Sequence, residues 1–166
     1  MGLYTSNKDI CKGLTAGFLG GIAGAFVMGQ FHAAIGKVSP VAKKAEKEGR
    51  ESTAKAASAV AKTVSHRPLD EKQKEIGGMA VHFAFGGAMG ALYGGSAEMN
   101  PSVAVSAGLP FGVALWFAAH EVAVPALGWS TPPNRAPFAE HVLELASHLV
   151  YGFTTDAVRR MIRKVW

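Results

Sequence analysis

Glu140, Glu144 and His148 stand at i, i+4 and i+8 of one otherwise apolar stretch, which places two carboxylates and an imidazole on a single helical stripe. Carboxylates one turn apart repel even on an exposed helix. In a low dielectric the repulsion grows, unless a proton or a cation is shared between them. Glu-x-x-x-His is also a chelating pair, and imidazole with carboxylate suits zinc, iron or manganese. The spacing differs from the Glu-x-x-His pairs of di-iron bundles, so it specifies no cluster. His82 and His120 lie in two further apolar stretches, and the candidate metal or proton site is His82, His120, Glu140, Glu144 and His148.

The elements that would position this set are long enough to cross a bilayer. Residues 13–36 hold no Asp, Glu, Lys or Arg, nor do residues 76–97, and residues 102–127 are charge-free until Glu121. A hydrocarbon core of about 30 Å takes roughly 20 residues at about 1.5 Å each. Residues 138–158 form a fourth stretch that hydropathy alone rejects, because it carries Glu140, Glu144, His148 and Asp156. Ionisable groups inside a membrane are expensive and mark function by default. The expected fold is all-α, a four-helix transmembrane bundle forming one integral-membrane domain over residues 1–166. An additional amphipathic, charged helical segment, 37–74, joins the first two spans.

Antiparallel threading decides which residues share a depth. The first and third spans end, and the second and fourth begin, on one face, here face A. At about 1.5 Å per residue, His32, His82, His120 and Glu144 lie roughly 6–10 Å inside that face and His148 about 15 Å. Topology alone thus collects a polar layer from four helices.

Small residues fill two of the spans. Gly17, Gly20, Gly21 and Gly24 in the first, and Gly86, Gly90 and Gly94 in the second, give small-xxx-small repeats that let backbones approach closely. Such faces serve internal packing or subunit assembly. The short connection at 99–102 implies that the second and third spans are antiparallel neighbours, and Pro110 implies a kink by freeing the Ser106 carbonyl. Within 37–74, residues 41–64 are dense in Ala, Lys and Glu and should be helical. The alanine face predicts weak membrane binding, or packing on a partner.

Ten of the seventeen Lys and Arg residues lie in 37–74, which holds the mean hydropathy at +0.17. The net charge of +5 flanks the spans, and no aromatic–basic interleaving suggests nucleic acid. The single cysteine, Cys11, excludes an internal disulfide and a cysteine-based zinc site. No nucleophile elbow, phosphate-binding glycine loop or HExxH motif is present, so an enzyme assignment has no motif to stand on. His66 and His141 read as solvated, and His32 as an interfacial or packing residue.

The C-terminal half carries a recognisable pattern: His120, Pro125, Gly128, Thr131-Pro132-Pro133, Pro137, Glu140, Glu144, His148 and Arg159-Arg160. His82, Phe85 and Tyr93 extend it into the second span. The pattern resembles the YagU-like family of bacterial inner-membrane proteins of undefined biochemical function. The resemblance implies a multi-pass inner-membrane protein, loosely linked with acid tolerance, and supplies no substrate. Segment 37–74 falls outside it.

Several readings follow. The polar layer is a structural hydrogen-bond network, a transition-metal or haem site, or a device for handling protons or solute. Alternatively the protein is a non-catalytic accessory subunit that stabilises a larger membrane complex or a homo-oligomer. The basic residues abutting the first and last spans place both termini in the cytoplasm, against the count from 37–74.

Overall fold

The computed structural model describes residues 6–166, and the described residues are almost entirely helical. Helix α1 (Asn7–Gly36) starts on the Ser6 hydroxyl, which accepts the Lys8 amide. Helix α2 (Pro40–Ser65) starts at Ser39 with Pro40 in the first turn, where the missing N–H costs nothing. It ends at His66 in the left-handed conformation. A reciprocal capping box of Asp70 and Gln73 opens α3 (Glu71–Met99).

The next apolar segment is broken. Two short 3-10 turns, Pro101–Ala104 and Ser106–Gly108, lead into α4 (Leu109–Leu115). A π-helical stretch, Trp116–Ala123, joins it to α5 (Val124–Ala126). A loop with one 3-10 turn, Pro133–Arg135, precedes α6 (Phe138–Val165). Pro110 therefore does not kink a helix as its position suggested. Ser106, Ala107 and Gly108 all have positive φ, the helix begins only at Leu109, and Pro110 occupies its first turn. The distortion instead falls at 116–123, just before Pro125, whose ring nitrogen can donate to neither the Glu121 nor the His120 carbonyl.

Among the described residues, three helices are long and apolar enough to cross a membrane: Asn7–Gly36, Glu71–Met99 and the broken Ser106–Ala126. Their interior is built from small residues. Ala16, Ala25 and most of the glycines are buried, while Phe18, Phe26, Leu92 and Phe117 face outward. That distribution is the reverse of a water-soluble bundle and suits close backbone packing in lipid.

Helix α1 packs against α3 on one side and α6 on the other, and α4 packs on α6. The sequence neighbours α3 and α4 meet instead through the stacked rings of Tyr93 and Phe111, 4.5 Å apart. The glycines divide between two partners. A Cβ on Gly90 would fall 2.6 Å from the Gly21 Cα, and one on Gly94 would fall 2.8 Å from the Gly17 Cα. Gly20 and Gly24 face α6, where a Cβ would come within 2.5 Å of the Thr155 carbonyl and 2.9 Å of the Tyr151 carbonyl. A second close pair, Gly112 and Gly152, joins α4 to α6.

Helix α2 does not depend on a foreign partner for its alanine face. Ala42, Ala45 and Ala57 are buried against α1, α3 and α6 of the same chain, so α2 lies across face A.

Candidate functional site

The polar residues near face A surround a cavity of about 580 Å³. Helix α6 supplies Glu140, Glu144 and His148, α1 supplies His32, α3 supplies His82, and the π-helical stretch supplies His120 and Glu121. Helix α2 closes it with Glu46, Glu48 and Arg50. All five candidate residues thus line one space, but they do not converge on one point.

Glu144 is the centre. Its Oε2 lies 3.7 Å from His32 Nε2 and 3.9 Å from His120 Nδ1. The His120 and His148 rings are 6.0 Å apart. His148 Nδ1–H donates to the Glu144 backbone carbonyl at 2.8 Å, so a neutral His148 keeps its lone pair on Nε2. His82 stands apart: its Nε2–H donates to the Ala25 carbonyl at 3.1 Å and ties α3 to α1. Glu140 is occupied differently again, accepting from Lys44 Nζ of α2 at 2.5 Å. The stripe read from the sequence therefore divides, with Glu140 neutralised by a lysine and Glu144 left among imidazoles. Among the described residues no three His, Cys, Asp or Glu side chains are arranged to hold a metal ion.

Two histidines differ from their sequence reading. His32 belongs to the Glu144 cluster, and its Nδ1 is buried without a hydrogen-bond partner among the described residues. His141 is not simply solvated: Nδ1 donates to Glu121 at 2.8 Å and Nε2 to the Pro133 carbonyl at 3.1 Å. Both nitrogens face acceptors, an arrangement that only the doubly protonated ring satisfies. The depth arithmetic that grouped His32 with His82, His120 and Glu144 was the signal for the first. Nothing local in the sequence marks the second.

The Glu140 hydrogen bond holds Lys44 above the ordinary lysine range. A raised folded value means the pair's contribution is complete below the unfolded lysine value and is lost as pH rises through the folded one. Lys44→Gln should therefore loosen α2 at neutral pH, because it leaves the buried Glu140 without its cation. Faster backbone hydrogen exchange over residues 40–55 is the expected readout. Unchanged exchange would mean that the alanine face alone holds α2.

A second polar layer lies at the opposite end of the bundle. Buried Asp156 accepts from Arg159 at 3.0 Å and from Arg160 at 2.6 Å. Glu98 of α3 accepts two bonds from Arg163, at 2.8 and 3.0 Å, and lies 3.5 Å from Arg159. In the sequence these arginines read as a basic tail. Spatial pairing with Glu98, 65 residues away from Arg163, could not be seen in it.

The described residues thus form a helical protein with three helices long and apolar enough to cross a membrane and a histidine–carboxylate cavity near one end. The chain belongs to the DUF1440 family of proteins of unknown function, whose model matches residues 59–157. The match spans α3, the broken helix and most of α6, so His82, His120, Glu140, Glu144 and His148 fall inside it and His32 and Lys44 outside. No curated protein and no solved structure matches the chain.

Proposed function

We propose that this chain is a multi-pass protein of the bacterial inner membrane, with α6 as a fourth span, in which the Glu144 cluster takes up and releases protons. Burial supports the fourth span. Glu144, His148, Asp156 and Arg159 all point into the bundle, while Val142, Phe153 and Met161 point outward. Intramembrane ionisable residues behave in this way. The likeness of the C-terminal motif to YagU-like proteins supports the same location.

The observation that carries the proton reading is Glu144 between His32 and His120, with a lysine supplied to Glu140 and, among the described residues, none to Glu144. A carboxylate among neutral imidazoles in a low dielectric is most cheaply satisfied by a proton shared within the group. A metal would need further convergence of these side chains.

Infrared difference spectroscopy of the protein in lipid nanodiscs, scanned across the histidine range of about pH 5–8, tests this. A protonated-carboxyl band should titrate in wild type, disappear in Glu144→Gln and persist in Glu140→Gln. Chelator should leave thermal stability unchanged in wild type and Glu144→Gln alike. A wild type without the band, or a band untouched by Glu144→Gln, would overturn the proposal.

With both termini in the cytoplasm, the cavity and α2 belong to the periplasmic side. Lys8, Lys12, Arg159, Arg160, Arg163 and Lys164 abut the helix ends on the other face. A C-terminal alkaline phosphatase fusion should then be inactive, and strong phosphatase activity would reverse the orientation.

A further inference from the structure

A cavity of about 580 Å³ is far larger than a proton needs and falls in the range that encloses a small organic molecule. Its chemistry is two-ended. Glu144, His32 and His120 form the polar end. Phe26 of α1 and Met79 and Phe85 of α3 also line it, and these three are 55, 56 and 45% exposed. The apolar wall therefore continues to the outer surface of the helices, where a spanning chain meets lipid.

The charges decide the sign of an occupant. Glu140 and Glu48 share Lys44, Glu121 has His141, Glu46 has Arg50 at 3.9 Å, and Glu75, which also lines the cavity, is exposed to solvent. Glu144 is within ion-pair distance of imidazoles alone among the described residues. Arg50 is the one Lys or Arg among the described lining residues, and its side chain is largely exposed. An anion would meet Glu144 with no buried guanidinium or ammonium among the described lining residues to hold it. A cation would supply the charge that Glu144 lacks, and an apolar body would cover aromatic wall, where ring faces favour cations further.

We propose that the cavity binds a lipophilic organic cation of the alkylammonium class, with its charged head at Glu144 and its apolar body along Phe26, Met79 and Phe85. The guest reaches the site from the lipid side. A guest arriving as an ammonium displaces the Glu144 proton to water; one arriving as a neutral amine takes that proton onto its nitrogen. The proposal rests on the proton reading only in taking Glu144 as the group that gives up a proton.

Equilibrium dialysis of the full chain in nanodiscs, with empty discs subtracted, tests it using octylamine, octanol and octanoate. Octylamine should bind saturably, one molecule per chain, and octanoate should not. Glu144→Gln should weaken octylamine by at least about tenfold, the effect of removing one member of a buried charge pair, and leave octanol unchanged. Phe26→Ala, at an exposed rim position, keeps the test valid if the Glu144 variant fails to fold, and should weaken octylamine severalfold. Equal binding of octanol or octanoate, or octylamine binding untouched by either substitution, would overturn the proposal. The infrared band measured without amine stands or falls separately, so failure of this proposal is distinguishable from failure of the proton reading.

Discussion

Asp156→Ala should lower the unfolding free energy by about 3–5 kcal/mol, the cost of removing one partner of a buried ion pair. The Asp156 side chain is 1% exposed and binds two guanidinium groups, those of Arg159 and Arg160. Arg160 also reaches the Ala104 carbonyl and is half exposed, so it can re-solvate. Arg159 cannot: it is 9% exposed, lies over the Tyr93 ring, and its remaining carboxylate, Glu98, is shared with Arg163. Asp156→Asn keeps the shape and one acceptor and should cost less. Arg160→Gln should cost less than Asp156→Ala, because Arg159 still pairs with Asp156 and the position of the half-exposed Arg160 is open to water. Equilibrium unfolding in mixed micelles gives all three. An Asp156→Ala variant within about 1 kcal/mol of wild type would show that Arg159 finds water, contrary to the buried network.

The second large effect is expected from Gly90→Val. Most overpacked sites cost about 1–3 kcal/mol because a neighbouring side chain turns aside. At Gly90 the neighbours are the backbone atoms of Gly17 and Gly21, with a Cβ already 2.8 Å from the Gly21 nitrogen. Backbone cannot turn aside, so α1 and α3 must separate, and loss at or beyond the upper end of that range is expected. Separation would also open the cavity wall formed by these two helices. Gly49→Ala is the matched control: its Cβ meets nothing within 4 Å among the described residues, and removing a helical glycine should stabilise α2 by up to about 1 kcal/mol. Thermal denaturation in detergent compares them. If Gly90→Val melts with wild type, the close α1–α3 contact is wrong.

Much of the helical architecture is local in origin. Uncharged runs gave the helices α1 and α3, because length and hydropathy are local quantities. The Ala/Lys/Glu density of 41–64 gave α2, and the glycine spacing marked faces for close packing. Counting depth from the helix ends brought His32, His82, His120, Glu144 and His148 to nearby levels, since a rise per residue needs no tertiary information.

Partners are another matter, because pairing depends on distance across helices, which no local pattern carries. Gly17 and Gly21 face α3 whereas Gly20 and Gly24 face α6, a division that an identical residue type cannot announce. Lys44, from a segment that looked destined for lipid or a partner, removes Glu140 from the shared stripe. Asp156 and Glu98 turn a basic tail into an internal ion network. The same spacing that made Glu140 and Glu144 look equivalent on one helix left them with different neighbours, a lysine for one and imidazoles for the other. Only the position of α2 over face A makes that difference.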